Sequence, residues 1–292
     1  MEKVREEMII SKLGQRQIQE LTKDQIMGLT KEQIQEFTEE QIRCLLLSQI
    51  KMLGRVQIEA LTVRQIQSLT SKQISAFSEF QIKLLSKEQI KALKKWQIKS
   101  FLLEQIKVLR PEQIEVLSPE QIHEINTVNF TSLDKEQLRA IKKEQLQKIE
   151  PYKIGFLSKE QLGWLSKEQL NVLDKKQVGL ILEKIDKEQY KYLSEKAIEG
   201  NVNKIKRLPL DRYNKLIEYK KLSNLSPIKM MNLKACRAIN HSNLKVKGAI
   251  AKGKEKYKST NRLLKYNRNT RVDITKNRPI NSTRTEKREY IY

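Results

Sequence analysis

Cysteine, histidine, proline and aromatic residues are all scarce in this chain of 292 residues, and each shortage closes off a class of chemistry. Two cysteines, Cys44 and Cys236, cannot make a disulfide framework. Together with the two histidines, His123 and His241, they show neither metal-ligand spacing nor a redox pair. No apolar run is long enough to cross a bilayer. The amino terminus, Met1-Glu2-Lys3-Val4-Arg5-Glu6-Glu7, is charged and has no apolar stretch of the kind a secretory signal needs. The chain is therefore expected not to be an integral membrane protein, and to reside in the cytoplasm or to leave by a route without such a signal. Carboxylates are plentiful but come one at a time, never as a pair set up for acid and base. Nothing meets the requirements of an active site, so the expectation is a protein that is no enzyme, uses no cofactor and turns over no small-molecule substrate.

What is abundant is repetition. Stepping by eight from residue 17 to residue 177 gives 21 registers, of which 19 hold Gln; Asn129 and Lys153 are the exceptions. The next residue is apolar in all 21, from Ile18 to Val178, and the residue four after the Gln is Leu, Ile or Phe in all 21, from Leu21 to Ile181. A period this strict decides the architecture before any single residue does.

One octad contains a complete helix start. In Leu21-Thr22-Lys23-Asp24-Gln25-Ile26, Thr22 is an N-cap and Gln25 the N3 partner of a capping box; Leu21 and Ile26 are the hydrophobic staple around it. Thirteen of the 21 N-cap positions hold Ser, Thr, Asp or Asn. The N2 position is acidic in 11 of 21, which suits the positive end of a helix. The three prolines of the repeat, Pro111, Pro119 and Pro151, all fall at N1, the helical position that tolerates them. The Gln column accordingly reads as half of a cap and not as a ladder of catalysts, since amides are poor acids and bases. One long helix is excluded: at 3.6 residues per turn the apolar stripe would drift roughly 80° per octad. The remaining possibility is an all-α solenoid of short single-turn capped helices, about 23 octapeptide repeats, each depending on its neighbours for burial.

The organisation follows from the columns. Residues 1–14 read as a degenerate capping segment in which Ile10 and Leu13 keep the apolar positions. Residues 15–200 are the repeat body, with a slip of four residues between Gln177 and Gln189 and a stop at Gly200. Residues 201–292 are a basic region, with short helices to about residue 240 (roughly Asp211–Leu222 and, capped by Ser226, on to Ile239) and disorder beyond. That region holds 25 Lys and Arg against 6 Asp and Glu, a net +19, so nearly all of the overall +23 lies there.

Two surfaces are candidates for binding. Phe80 and Trp96 replace the acid in the exposed N2 column, and Lys83 and Lys99 stand in the exposed column beside them at the same spacing. With two octads per superhelical turn these four residues would stack into one apolar anchor flanked by cations, suited to an acidic amphipathic protein; with three they would be split. In the basic region, Lys252, Lys254, Lys256, Tyr257 and Lys258, then Arg262, Lys265, Tyr266, Arg268 and Arg271, interleave cations with aromatic and apolar residues. Such a segment fits a polyanion, either nucleic acid or an anionic membrane surface.

The units Leu29-Thr30-Lys31-Glu32-Gln33-Ile34 and Leu85-Ser86-Lys87-Glu88-Gln89-Ile90 resemble the octapeptide-repeat arrays of some uncharacterised bacterial proteins, including large secreted or surface ones. The resemblance covers residues 15–198 and implies no activity. The expectation is a monomeric scaffold whose solenoid binds a protein and whose basic region tethers it to a polyanion. The alternatives are a nucleic-acid-binding protein acting through that region, and a secreted bacterial effector with a basic carboxy-terminal signal.

Overall fold

The computed structural model describes residues 9–219. Among them the regular structure is wholly helical, twenty-four α-helices and two 3-10 turns, and no strand occurs. The 21 helices from Gln15–Glu20 to Lys175–Ile181 each hold five to seven residues. Every one of the thirteen favourable N-caps accepts from the amide of its N3 residue. Helices end where the next cap begins. Phe37 takes φ −57°, ψ 127° and Thr38 takes φ −69°, ψ 163°, so two extended residues separate one turn of helix from the next. Pro111, Pro119 and Pro151 each open a helix.

A single turn of helix is not stable alone, and the packing shows what each turn leans on. Each helix lies against the one three octads further on: Lys31–Glu36 against Arg55–Ala60, Glu39–Cys44 against Val63–Ser68, Pro119–His123 against Lys143–Lys148, and Pro151–Phe156 against Lys175–Ile181. Three octads therefore complete one superhelical turn, and residues 24 apart share a face. The core is the two apolar columns. Every residue following the Gln column, from Ile18 to Val178, is at most 2% exposed, and every Leu, Ile or Phe three positions later is also buried. The third column is half-buried at Val108, Val116, Ala140 and Val172 and fully buried at Ala60 and Ala76.

The described stack extends past the regular octads at both ends. Ile10 and Leu13 flank a 3-10 turn, Ile10–Lys12, and their carbonyls receive the Gln41 amide at 2.9 and 2.8 Å, so this degenerate segment does the work of an octad. At the other end the four-residue slip is absorbed by a helical turn through Leu182. Tyr190 then replaces the usual Ile, and its hydroxyl donates to the Leu182 carbonyl at 2.6 Å. Packing does not stop at Gly200. Ile205, Leu208, Tyr213 and Leu216 join the same core, and Arg212 donates to the Ile185 carbonyl at 2.8 Å. The helix expected over Asp211–Leu222 is seen as Leu210–Glu218. The helix expected from Ser226 and every candidate polyanion contact from Lys252 to Arg271 lie outside the described residues.

Candidate protein-interaction surface

The Gln column has two functions, and sequence reasoning found one. Its Oε1 accepts the N-cap amide at 2.6–3.0 Å, closing the cap even where the N-cap residue is Leu46, Lys94, Leu102 or Lys142. Its Nε2 reaches across to the preceding turn of the solenoid. Gln97 donates to the carbonyls of Ile66 and Leu69, both at 2.8 Å, and Gln81 to those of Ile50 and Leu53 at the same distance. These carbonyls stand at the ends of helices, where intrahelical partners run out. One buried side chain thus completes the start of its own helix and the end of another 28–31 residues earlier. From Gln41 onward the buried Gln side chains are a structural spine, both ends of each amide engaged, as the cost of an unpaired buried polar group requires.

The two exceptions keep the donor. Asn129, one methylene shorter, reaches only the Phe101 carbonyl, at 2.9 Å. Lys153 is buried, donates to the His123 carbonyl at 2.6 Å, and pairs with Glu150 at 2.8 Å. Burial pushes the Glu150 carboxyl up, but the hydrogen bond from Lys153, its own amide, and the charges of Lys153 and His123 leave it below the ordinary carboxylate range. Lys153→Ala is expected to cost about 3 kcal/mol, the low end for a broken buried pair, because Glu150 keeps 28% of its side chain exposed. A carboxyl depressed in the folded state adds stability above its unfolded pKa and loses it as pH falls through the folded value. Thermal melts should therefore show the wild type losing more stability between neutral and acid pH than Lys153→Gln, which removes the cation and restores the column.

The three-octad turn settles where the candidate contacts fall. Phe80 and Trp96 are both exposed, 54% and 43%, but stand two octads apart and so on different faces. Lys83 shares the face of Phe80, and Lys99 that of Trp96. The single four-residue anchor, which required two octads per turn, is not formed. Lys91 and Lys107 are likewise distributed, so the lysines at 83, 91, 99 and 107 are not one ladder.

What the register does assemble was not visible in the octad. The N2 positions 56, 80, 104, 128 and 152 are 24 apart, and four of the five hold Val56, Phe80, Val128 and Tyr152, all exposed. Leu102, Phe156 and Leu180 belong to the same stack of helices. Twelve large apolar side chains in the octads are exposed; seven lie on this face, four on the second and one, Val63, on the third. Phe80 and Leu102 line one groove between neighbouring helices. Arg55 lies over the Phe80 ring at 5.8 Å, Leu180 sits 3.1 Å from where a Cβ would stand on Gly155, and Glu104 interrupts the N2 column between Phe80 and Val128. Charge on this face is paired within it, Arg55 with Glu59 at 3.0 Å and Lys107 with Glu104 at 3.0 Å.

Cys44 is a free thiol, half-buried against the core, and His123 Nδ1 donates to the Lys148 carbonyl, 2.8 Å away. Among the described residues, no three His, Cys, Asp or Glu side chains gather as metal donors, and no helix is long and apolar enough to cross a membrane. No protein-family model matches the chain, and no curated protein matches it.

Proposed function

We propose that the chain is a non-enzymatic binding scaffold: the solenoid holds a protein partner on its apolar face, and the basic carboxy-terminal region tethers the complex to a polyanion. The observation that carries the first half is the gathering of Val56, Phe80, Leu102, Val128, Tyr152 and Phe156 on one of three faces. A repeat protein has no need to expose apolar residues in one register, and an exposed apolar row is the usual mark of an interface. The occupant that fits is an amphipathic segment of another protein laid along the stack, its apolar side against the row, since the acidic and basic residues of the face offset one another and the aromatic residues Phe80 and Tyr152 are the side chains that anchor such contacts. The second half rests on the +19 of residues 201–292.

The test is capture from cell extract with the full chain, with Phe80→Glu/Tyr152→Glu, and with residues 245–292 deleted. The double change puts the repeat's own consensus acid at both N2 positions and should leave the melt unchanged. A protein that binds the parent and the deletion but not the double variant supports the apolar face. Loss of salt-sensitive retention on heparin or anionic vesicles in the deletion alone supports the tether. An identical set of proteins held by the double variant removes this face from consideration.

A further inference from the structure

The second face differs in kind from the apolar one. Its helices Leu47–Met52, Ser71–Ala76 and Lys95–Lys99 stack on one another. Their three octads, residues 46–53, 70–77 and 94–101, carry Lys51, Lys72, Lys94, Lys95 and Lys99 and not one Asp or Glu. All five lysines are exposed. Among the described residues none of the five makes an ion pair, whereas Arg43 elsewhere on the solenoid pairs with both Glu39 and Glu40. Glu120, in the next stacked octad, feels the charge of Lys95. Trp96 stands on the third of these helices, between Lys95 and Lys99, in the column that places Lys72 one helix before it. Leu46 and Leu47 are exposed on the first of the three helices, and Leu47, Lys51, Lys72, Ala76 and Ser100 border a shallow groove there.

We infer that this face is a docking site for an acidic amphipathic peptide segment, with Trp96 and Leu47 receiving its apolar side chains and the five lysines its carboxylates. The inference rests on the reading of the solenoid as a scaffold and assigns it a second partner chemistry. Five like charges held together by the fold repel one another, and an acidic ligand relieves that repulsion while its approach is steered by it. The exposed aromatic supplies the buried contact that charge alone does not. A nucleic acid would use the same lysines and could stack on Trp96. It has no use for Leu46 and Leu47, exposed beside the groove, and these favour the peptide.

Trp96 is its own reporter. The chain has two tryptophans, and Trp164 is half-buried against the core, so Trp164→Phe leaves one emitter at the site. The experiment titrates full-length Trp164→Phe with a synthetic peptide of Glu and Leu at helical spacing, with poly-glutamate, and with oligothymidylate, following Trp96 emission. Repeating the titration with residues 245–292 deleted keeps the test separate from the tether, and the Phe80/Tyr152 variant keeps it separate from the apolar face. The Glu–Leu peptide should shift the emission saturably, more tightly than poly-glutamate, and less tightly as salt rises. Lys94→Glu/Lys99→Glu should weaken it at least about tenfold, while Lys83→Glu/Lys107→Glu, equal in charge but on the apolar face, should bind as the parent does. Lys94 is an N-cap, where an acid suits the helix, so the first variant is expected to fold. An emission unmoved by the peptide, equal weakening by both charge variants, or tighter binding of oligothymidylate than of the peptide would each overturn the assignment, the last in favour of nucleic acid.

Discussion

Gln97→Glu should cost about 3–4 kcal/mol at neutral pH and melt the solenoid well below the parent. As a capping-box partner Glu is as good as Gln, because either side-chain oxygen accepts the N-cap amide. The loss comes from the other end of the side chain. Gln97 is wholly buried and its Nε2 donates to the carbonyls of Ile66 and Leu69. A carboxylate would face those two oxygens with no hydrogen to offer. It takes up a proton instead, and the ionisation forgone at pH 7 is the ~2.7 units between that pH and the unfolded carboxyl's pKa, at most about 3.7 kcal/mol. The sign is fixed: a carboxyl whose folded pKa is raised carries no penalty below its unfolded pKa and a growing one as pH rises toward the folded value. The variant should therefore regain stability on acidification, where the protonated group donates as an amide does. Gln97→Ala, which leaves three polar groups unpaired but buries no charge, should cost about 3 kcal/mol with no such pH dependence. Lys94→Glu/Gln97→Lys copies the pair found at Glu150 and Lys153 and should recover much of what Gln97→Lys alone loses. If Gln97→Glu is harmless at pH 7, the donated bonds contribute nothing and the column is a cap alone.

That experiment also marks the line between what the amino-acid order makes legible and what it does not. The caps, helix starts, buried columns and proline positions can be read because each depends on residues at most four apart. Thr62 and Gln65 meet inside one turn of helix whatever the rest of the chain does. The second use of Gln spans 28–31 residues, a separation set by how many octads close a turn, and that number comes from packing. One clue was available in the sequence. Glu, the commoner acidic partner for a capping box, never occupies the column, and all 21 occupants carry a side-chain N–H. A column that excludes Glu at a capping position must be required to donate.

The same number governs the surface. With three octads to a turn, the pairing of Phe80 with Trp96 dissolves and two other groupings appear: Phe80 with Val56, Val128 and Tyr152, and Trp96 with Lys72 and the other lysines of its face. The octad alone assigns each residue a depth, exposed or buried. The turn assigns it neighbours. Face chemistry in this fold is written at a period of 24, and it can change without touching a core residue, since N1 and N2 are buried on none of the 21 octad helices.

Removal of residues 86–93, one whole octad, should therefore leave the fold and abolish the surfaces. Leu85 would join Lys94, and every apolar column and capping pair would remain in phase. Gln97 would donate to the carbonyls of Ile58 and Leu61, the present partners of Gln89, instead of those of Ile66 and Leu69. Nearest-neighbour packing in a solenoid makes such an exchange nearly neutral, so the helical signal per residue should hold and the melt fall by less than about 5 °C. Everything after the deletion would turn by one third of a superhelical turn. Trp96 would lie over Arg64 on the third face and leave Lys51 and Lys72 behind, and Leu102 would part from Phe80. Emission of Trp96 in the Trp164→Phe background should then respond to the Glu–Leu peptide at least about tenfold more weakly. Filling the gap with a copy of residues 166–173, a different octad of the same chain, should restore the response, because it restores register without restoring sequence. Loss of helix on deletion would mean that octads are not interchangeable. An undiminished response would mean that the lysines moving with Trp96 suffice, and that the stack beneath it is no part of the site.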